Sequence, residues 1–430
     1  MKAYAQLTLL FVIFLLVSCK ENTTEQKVVK SKTQIELKEP KDIPVDTIGS
    51  KKKVEVPKQY KHKFVIARSG LNYRDAPKGN ILGKFPLNTQ LKIIEYPKIT
   101  DQIKEGETIM NGEWVGVEKD TDTVYVFNGF LSFDYVTSDI KLYLASSYYK
   151  EQEGTIRTAF INVSETYFEN RYNESNDDNE NSILTEANLK KDTIRLTKSQ
   201  RSKFLKFSNI SESDTAYIYS IADGNVETLP IKDLPVIACM NIYGSYNDNL
   251  NQEHDYEFGF DLGTNSYGEF VFIGKNNPFH TEKLTPIIWK KIDTQDVQKE
   301  FNPDIITDHR KRWFNGYEVT ASYSFSKDHL TYYIQDLTVN KTIHRYLIVV
   351  NTDTEKIVFE HVLINSESTY LVPLRITDST ENYNGQWTGK LFKNKEAVLF
   401  GFLGYSFGCP SISILDTTEP PIRILCDNRH

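Results

Sequence analysis

The chain has 430 residues, with 51 Lys and Arg against 58 Asp and Glu, and a formal net charge of −7. A balance this mild over this length leaves no basic footprint for nucleic acid, and no nucleic-acid partner is expected. Aromatics make up 12% of the chain against only 3 Met, and the abundance of Tyr, Thr, Ile and Val favours strands.

The chain opens with Lys2 and an apolar run, Leu7 to Val17, followed by Ser18 and Cys19. A charged start, a short apolar stretch and a small residue make a signal peptide. The run is shorter than the roughly 20 apolar residues a spanning helix needs. Leu16-Val17-Ser18-Cys19 resembles a bacterial lipobox. The resemblance implies cleavage after residue 18, a diacylglyceryl group on the Cys19 sulfur and acylation of its amine. Several acyl chains hold firmly where one does not, since each buried CH₂ contributes about 0.8 kcal/mol. Lys20 stands where an Asp would resemble an inner-membrane retention signal. The expected location is therefore the bacterial cell envelope, on the outer membrane or cell surface. Residues 19–60 are rich in Lys, Glu, Thr and Pro, with no aromatic before Tyr60. Such a segment cannot bury enough apolar surface to fold alone and reads as a flexible tether.

From Phe64 the pattern changes to short strands separated by Gly, Pro, Asn and Asp, as in a small barrel. The quoted residues are Leu71, Asn72, Arg74, Pro77, Leu82-Gly83, Gly112, Trp114, Val117, Tyr125-Val126 and Phe130-Leu131. In this order they resemble the bacterial SH3-like family, over residues 61–137. Val124 stands where the family has a Gly, and Tyr96 to Met110 reads as an inserted loop. The resemblance implies binding of cell-wall peptides or glycans, or docking on a neighbouring protein. Tyr73, Arg74, Tyr125 and Phe127 are the candidate binding residues, since rings bury area and keep a polar edge. Trp114 reads as barrel core, because a domain this small has few residues to build one.

Residues 140–430 read as a larger β-rich region, a sandwich or propeller-like sheets, so the fold class is all-β. Tyr256 to Leu262 alternates with period two. Tyr346–Val350 with Lys356–Val362, and Gln386–Phe392 with Ala397–Leu403, read as hairpins. A composition shift at residues 301–312 marks a division into two lobes. Asn173–Asn181 reads as a solvated loop, as does Asn247–Asp255. In the latter, Asp248, Glu253, His254 and Asp255 are oxygen-rich, but the spacing of a calcium loop is absent and no metal site is expected.

Of the four cysteines, Cys19 is assigned to lipid. Cys409 and Cys426 flank a predicted hairpin and are the candidate disulfide in an oxidising compartment, with the pairing left open. Cys239, within Val236–Met240, reads as a buried thiol. Ser406-Phe407-Gly408-Cys409 has Phe where the Ser-His-Gly-Cys segment of L,D-transpeptidases has the His. No Gly-x-Ser-x-Gly, His-Glu-x-x-His or P-loop is present, so no catalytic residue and no cofactor are assigned. The expectation is a membrane-anchored envelope lipoprotein with a non-catalytic binding role toward peptidoglycan or an envelope protein. The alternative is a wall hydrolase of unrecognised type, since paired carboxylates meet in space and not in sequence.

Overall fold

The computed structural model describes residues 61–105, 108–120, 122–150, 156–174, 182–241, 251–263, 269–295, 297, 318–339, 342–377 and 385–428. The signal segment, Cys19, the tether, residues 175–181, Asp248 and residues 301–312 lie outside them. Half of the described residues are in strands and 11% in helices, an all-β architecture of several sheets.

The first sheet runs Ile81–Phe85, Leu71–Arg74, Asp122–Phe127, Thr108–Lys119, Gln90–Glu95, Lys61–Val65, Leu131–Ser132. Its alternate residues turn inward on one core that includes Val65, Leu71, Leu91, Trp114 and Val126. The stretch from Tyr96 to Met110 is not the loop expected of it. Thr100–Glu105 pairs antiparallel with the start of Thr108–Lys119, with Thr100 opposite Glu113. The Trp strand is simply longer than expected, and the extra length brings its own partner.

The second sheet has 13 strands. Its node is Leu142–Lys150, which pairs with Ile156–Asn162, with Glu269–Gly274 and, in parallel, with Ile422–Leu425. The third sheet has 5 strands, Lys290–Ile292, Glu318–Lys327, Leu330–Val339, Thr342–Asn351 and Lys356–Ile364. The segment of the expected division, 301–312, lies outside the described residues. Lys290–Ile292 and Glu318–Lys327 flank that segment and are partners in one sheet. The end of the chain also returns to the sheet in which the large region began, beside Leu142. Within the large region, Tyr332, Ile334, Leu347 and Val349 of the third sheet pack with Leu399, Phe402 and Leu415 of the returning strands.

Among the described residues are two α-helices, α1 (Ser164–Glu174) and α2 (Lys198–Ser208), which the strand-rich composition did not announce. Helix α2 starts with a capping box: Thr197 accepts from the Gln200 N–H, and the Gln200 side chain accepts from the Thr197 N–H. It ends on Asn209 in the left-handed conformation, φ 55°. Phe204 and Phe207 of α2 and Tyr167 and Phe168 of α1 join Phe258 and Phe260 of the second sheet in one aromatic core. Gly259 between those two phenylalanines is a close-approach position, where a Cβ would collide with the Ile161 carbonyl oxygen.

Candidate functional site

Of the four binding residues expected in the first sheet, the structure places two inside. Tyr73 is buried against Phe85, with ring centroids 4.6 Å apart. Phe127 is buried against Trp114 and Phe130. Neither ring can face a ligand, and an aromatic groove of all four residues is corrected on that ground. Tyr73 and Arg74 are neighbours on one strand, so their side chains leave on opposite faces. Arg74 and Tyr125 stay at the surface as cross-strand partners. Both are already engaged. Arg74 donates to the Gly79 carbonyl and lies 5.6 Å from the Trp114 ring, and the Tyr125 hydroxyl donates to Glu95 at 2.9 Å. Trp114 is core, as expected, and its Nε1 donates to Asp101 at 3.1 Å. That bond, above all, holds the Asp101 carboxyl below its ordinary pKa.

Glu253 is not an exposed ligand of an acidic loop. It is buried, and its carboxylate accepts from Tyr167 (2.6 Å), Arg171 (3.0 Å), Ser182 (2.6 Å) and the backbone of Ile183 (2.6 Å) and Leu184 (2.8 Å). Burial and this carboxylate together push the Tyr167 hydroxyl far up, so it stays a donor. The cluster is a polar node tying α1 to the loop ahead of Tyr256–Asp261, with every carboxylate lone pair used. No group of three or more His, Cys, Asp or Glu among the described residues is arranged to hold a metal ion.

A feature with room for a ligand lies elsewhere among the described residues, between the third sheet and the returning C-terminal strands. It is a half-open cleft of about 240 Å³. Phe359, His361 and Leu363 alternate on one strand and so present one face to it. Phe400, Leu403 and Tyr405 form a second wall. Gly401 makes the bend between those strands at φ +86°, where a Cβ would run into the Gly385 carbonyl. Leu144 and Phe270 of the second sheet close the inner end, where Phe270 meets Phe400 edge-on at 5.1 Å.

The third wall explains a pattern that reads as an ordinary strand in the sequence. In Ser411-Ile412-Ser413-Ile414, the two Ile side chains are buried in the core below, and the two Ser face the cleft. Among the described residues, the lining thus contains no Lys, Arg, Asp or Glu; its polar groups are His361, Tyr405, Ser411 and Ser413. His361 is exposed by area yet crowded by the wall, and this desolvation holds its pKa below the ordinary imidazole value of 6.5. The imidazole is therefore neutral at physiological pH. The cleft offers a ligand apolar surface and a few uncharged hydrogen-bonding groups.

One carboxyl among the described residues is held above its ordinary value, that of Glu165. Burial is the largest cause, opposed by Arg423. It does not line the cleft. It pairs with Arg423 at 2.8 Å and accepts from the Cys426 N–H at 3.1 Å, beside the bond that joins Cys409 to Cys426. Cys239 is buried in the strand Val236–Met240.

Comparison with protein-family models, with curated proteins and with solved structures found no match for this chain.

Proposed function

We propose that this protein is a lipid-anchored component of a bacterial cell envelope with a non-catalytic binding role, and that the cleft is where it binds. The observation that carries the reading is the cleft itself: concave, apolar on most sides, with a few convergent neutral polar groups. That is the ordinary make-up of a small-ligand site. Its ligand is neutral and largely apolar, because the described lining residues have nothing to pair with a charge and burying an unpaired charge is costly. Binding is favoured over hydrolysis because Glu165, the described carboxyl tuned most like an acid catalyst, is engaged by Arg423 and Cys426 outside the cleft.

The anchor rests on the lipobox resemblance at Cys19, and the first sheet is proposed as an SH3-like barrel on the residue order Leu71 to Leu131. With Tyr73 and Phe127 in its core, that barrel serves better as a docking platform for wall material or an envelope protein than as an aromatic groove. Two measurements test the reading. Cys19→Ala should abolish palmitate labelling and move the protein out of the membrane fraction; unchanged fractionation would refute the anchor. An alkyl diazirine probe, photolysed with the mature protein in lipid nanodiscs, should label peptides of the cleft walls above all others. Labelling spread evenly over the chain would refute the site.

A further inference from the structure

The third wall of the cleft is a hairpin closed at its base. Ser411–Ile414 pairs with Ile422–Leu425, and Cys409 and Cys426 just outside the pair are disulfide-bonded, with Cα atoms 5.6 Å apart. Pro410, Ser411, Ser413 and Ile424, all between the two cysteines, line the cleft. Both cysteines are half-buried, so the bond is within reach of a small reductant.

The surroundings of the bond suit its opening as well as its closure. The Arg423 guanidinium lies 3.9 Å from Cys409 Sγ, and a cation there favours a thiolate. The Cys426 carbonyl lies 3.3 Å from the same sulfur and the Glu165 carboxylate 3.6 Å, so a reduced Cys409 has acceptors already in place for its S–H. The clasp of Glu165 on Arg423 and on the Cys426 N–H does not depend on the sulfur bond. Reduction therefore loosens the hairpin without detaching it. At the far end of the hairpin, Glu419 pairs with Lys395 at 2.9 Å and with Arg68, in the turn between Lys61–Val65 and Leu71–Arg74, at 3.4 Å. The wall is thus held at both ends, and only one hold is redox-sensitive.

We propose that the Cys409–Cys426 bond is a redox latch on the cleft: closed, it fixes the hairpin wall and the cleft holds its apolar ligand; opened by a dithiol, it frees the wall and the ligand leaves. The proposal rests on the reading of the cleft as a ligand site. In the step, a thiolate of the dithiol attacks Cys426 Sγ, forms a mixed disulfide and expels Cys409 as a thiolate, which takes up a proton. The second thiol of the dithiol then closes on the mixed disulfide and releases Cys426. Two electrons and two protons pass to the cysteines, and the dithiol leaves as a disulfide.

The test uses the mature protein in nanodiscs, with and without dithiothreitol, the free thiols being counted by alkylation. Two readouts are taken: diazirine labelling of the cleft, and hydrogen exchange of the strands around it. On full reduction, exchange in Ser411–Ile414 and Ile422–Leu425 should rise by about tenfold or more, while exchange in the first sheet stays as it was. Labelling of the cleft should fall by about threefold or more and return on reoxidation. The Cys409→Ser, Cys426→Ser double variant should behave as the reduced protein without reductant. Unchanged exchange and labelling in a protein with both thiols alkylated would overturn the latch. Absence of labelling in the oxidised protein would refute the cleft as a ligand site instead, and the exchange data would then judge the latch alone.

Discussion

Two side chains show how far local chemistry decides the behaviour of this protein. Glu253 is buried with Arg171 and receives donors from five groups, so neither charge meets water. Removing one partner of a buried pair costs about 3–5 kcal/mol, since the other charge stays desolvated. Glu253→Ala should lower the free energy of unfolding by that amount in a denaturant titration; a loss under about 1 kcal/mol would mean that the node is not structural. His361 gives a pH dependence. Its folded pKa lies below 6.5, so as pH falls the unfolded chain takes up the proton first. The stability it contributes is full above 6.5 and is lost as pH falls through the window beneath that value. Occupancy of the cleft should follow the same course, steady from neutral pH to 6.5 and falling below it, because a charged imidazole resists burial under an apolar ligand. His361→Gln should flatten both curves; an unaltered pH profile in that variant would assign the titration to another group.

At the scale of elements, what could be read from the sequence was what depends on near neighbours. Tyr256 to Leu262 alternates in the sequence and forms the strand Tyr256–Asp261. The hairpin expected around Asn351–Glu355 joins Thr342–Asn351 to Lys356–Ile364, with Leu347 opposite His361. The helices were hidden for different reasons. Helix α1 is built from Tyr, Phe and Asn, residues of middling helix propensity, and is held by packing on Phe258 rather than by its own preference. Helix α2 carried a legible signal in Thr197-Lys198-Ser199-Gln200, a capping box ahead of Phe204, Leu205 and Phe207. Thr197→Ala should cost about 1 kcal/mol, and Thr197→Asp, which keeps an acceptor, should cost little. An Ala variant as stable as the parent would show that tertiary packing alone sets this helix start.

At the scale of the molecule, the cleft was illegible because its lining is gathered from distant parts of the chain. Leu144, Phe270, His361 and Ser413 are brought together only when the last strand returns to lie parallel to Leu142–Lys150. In sequence, Phe359-Glu360-His361 looks like any half-buried strand, and the serines of Ser411–Ile414 look like its solvent side. Of the expected binding residues in the first sheet, Tyr73 and Phe127 proved buried for the converse reason. Aromatic character marks both grooves and cores, and a small sheet spends its rings on the core. The same return of the chain places the disulfide hairpin between the cleft, α1 and the first sheet, through Ser413, Glu165 and Glu419.

The central claim is that the cleft holds a neutral apolar ligand, and filling it is the most direct test. Ser413 faces the cleft and not the core, so Ser413→Phe should block the space with a change in stability within about 1 kcal/mol. Diazirine labelling of the walls formed by Val398–Phe400, Leu403–Tyr405 and Lys356–Ile364 should be strong in the parent protein and lost in this variant. Equal labelling of those walls in a folded Ser413→Phe protein would contradict the claim.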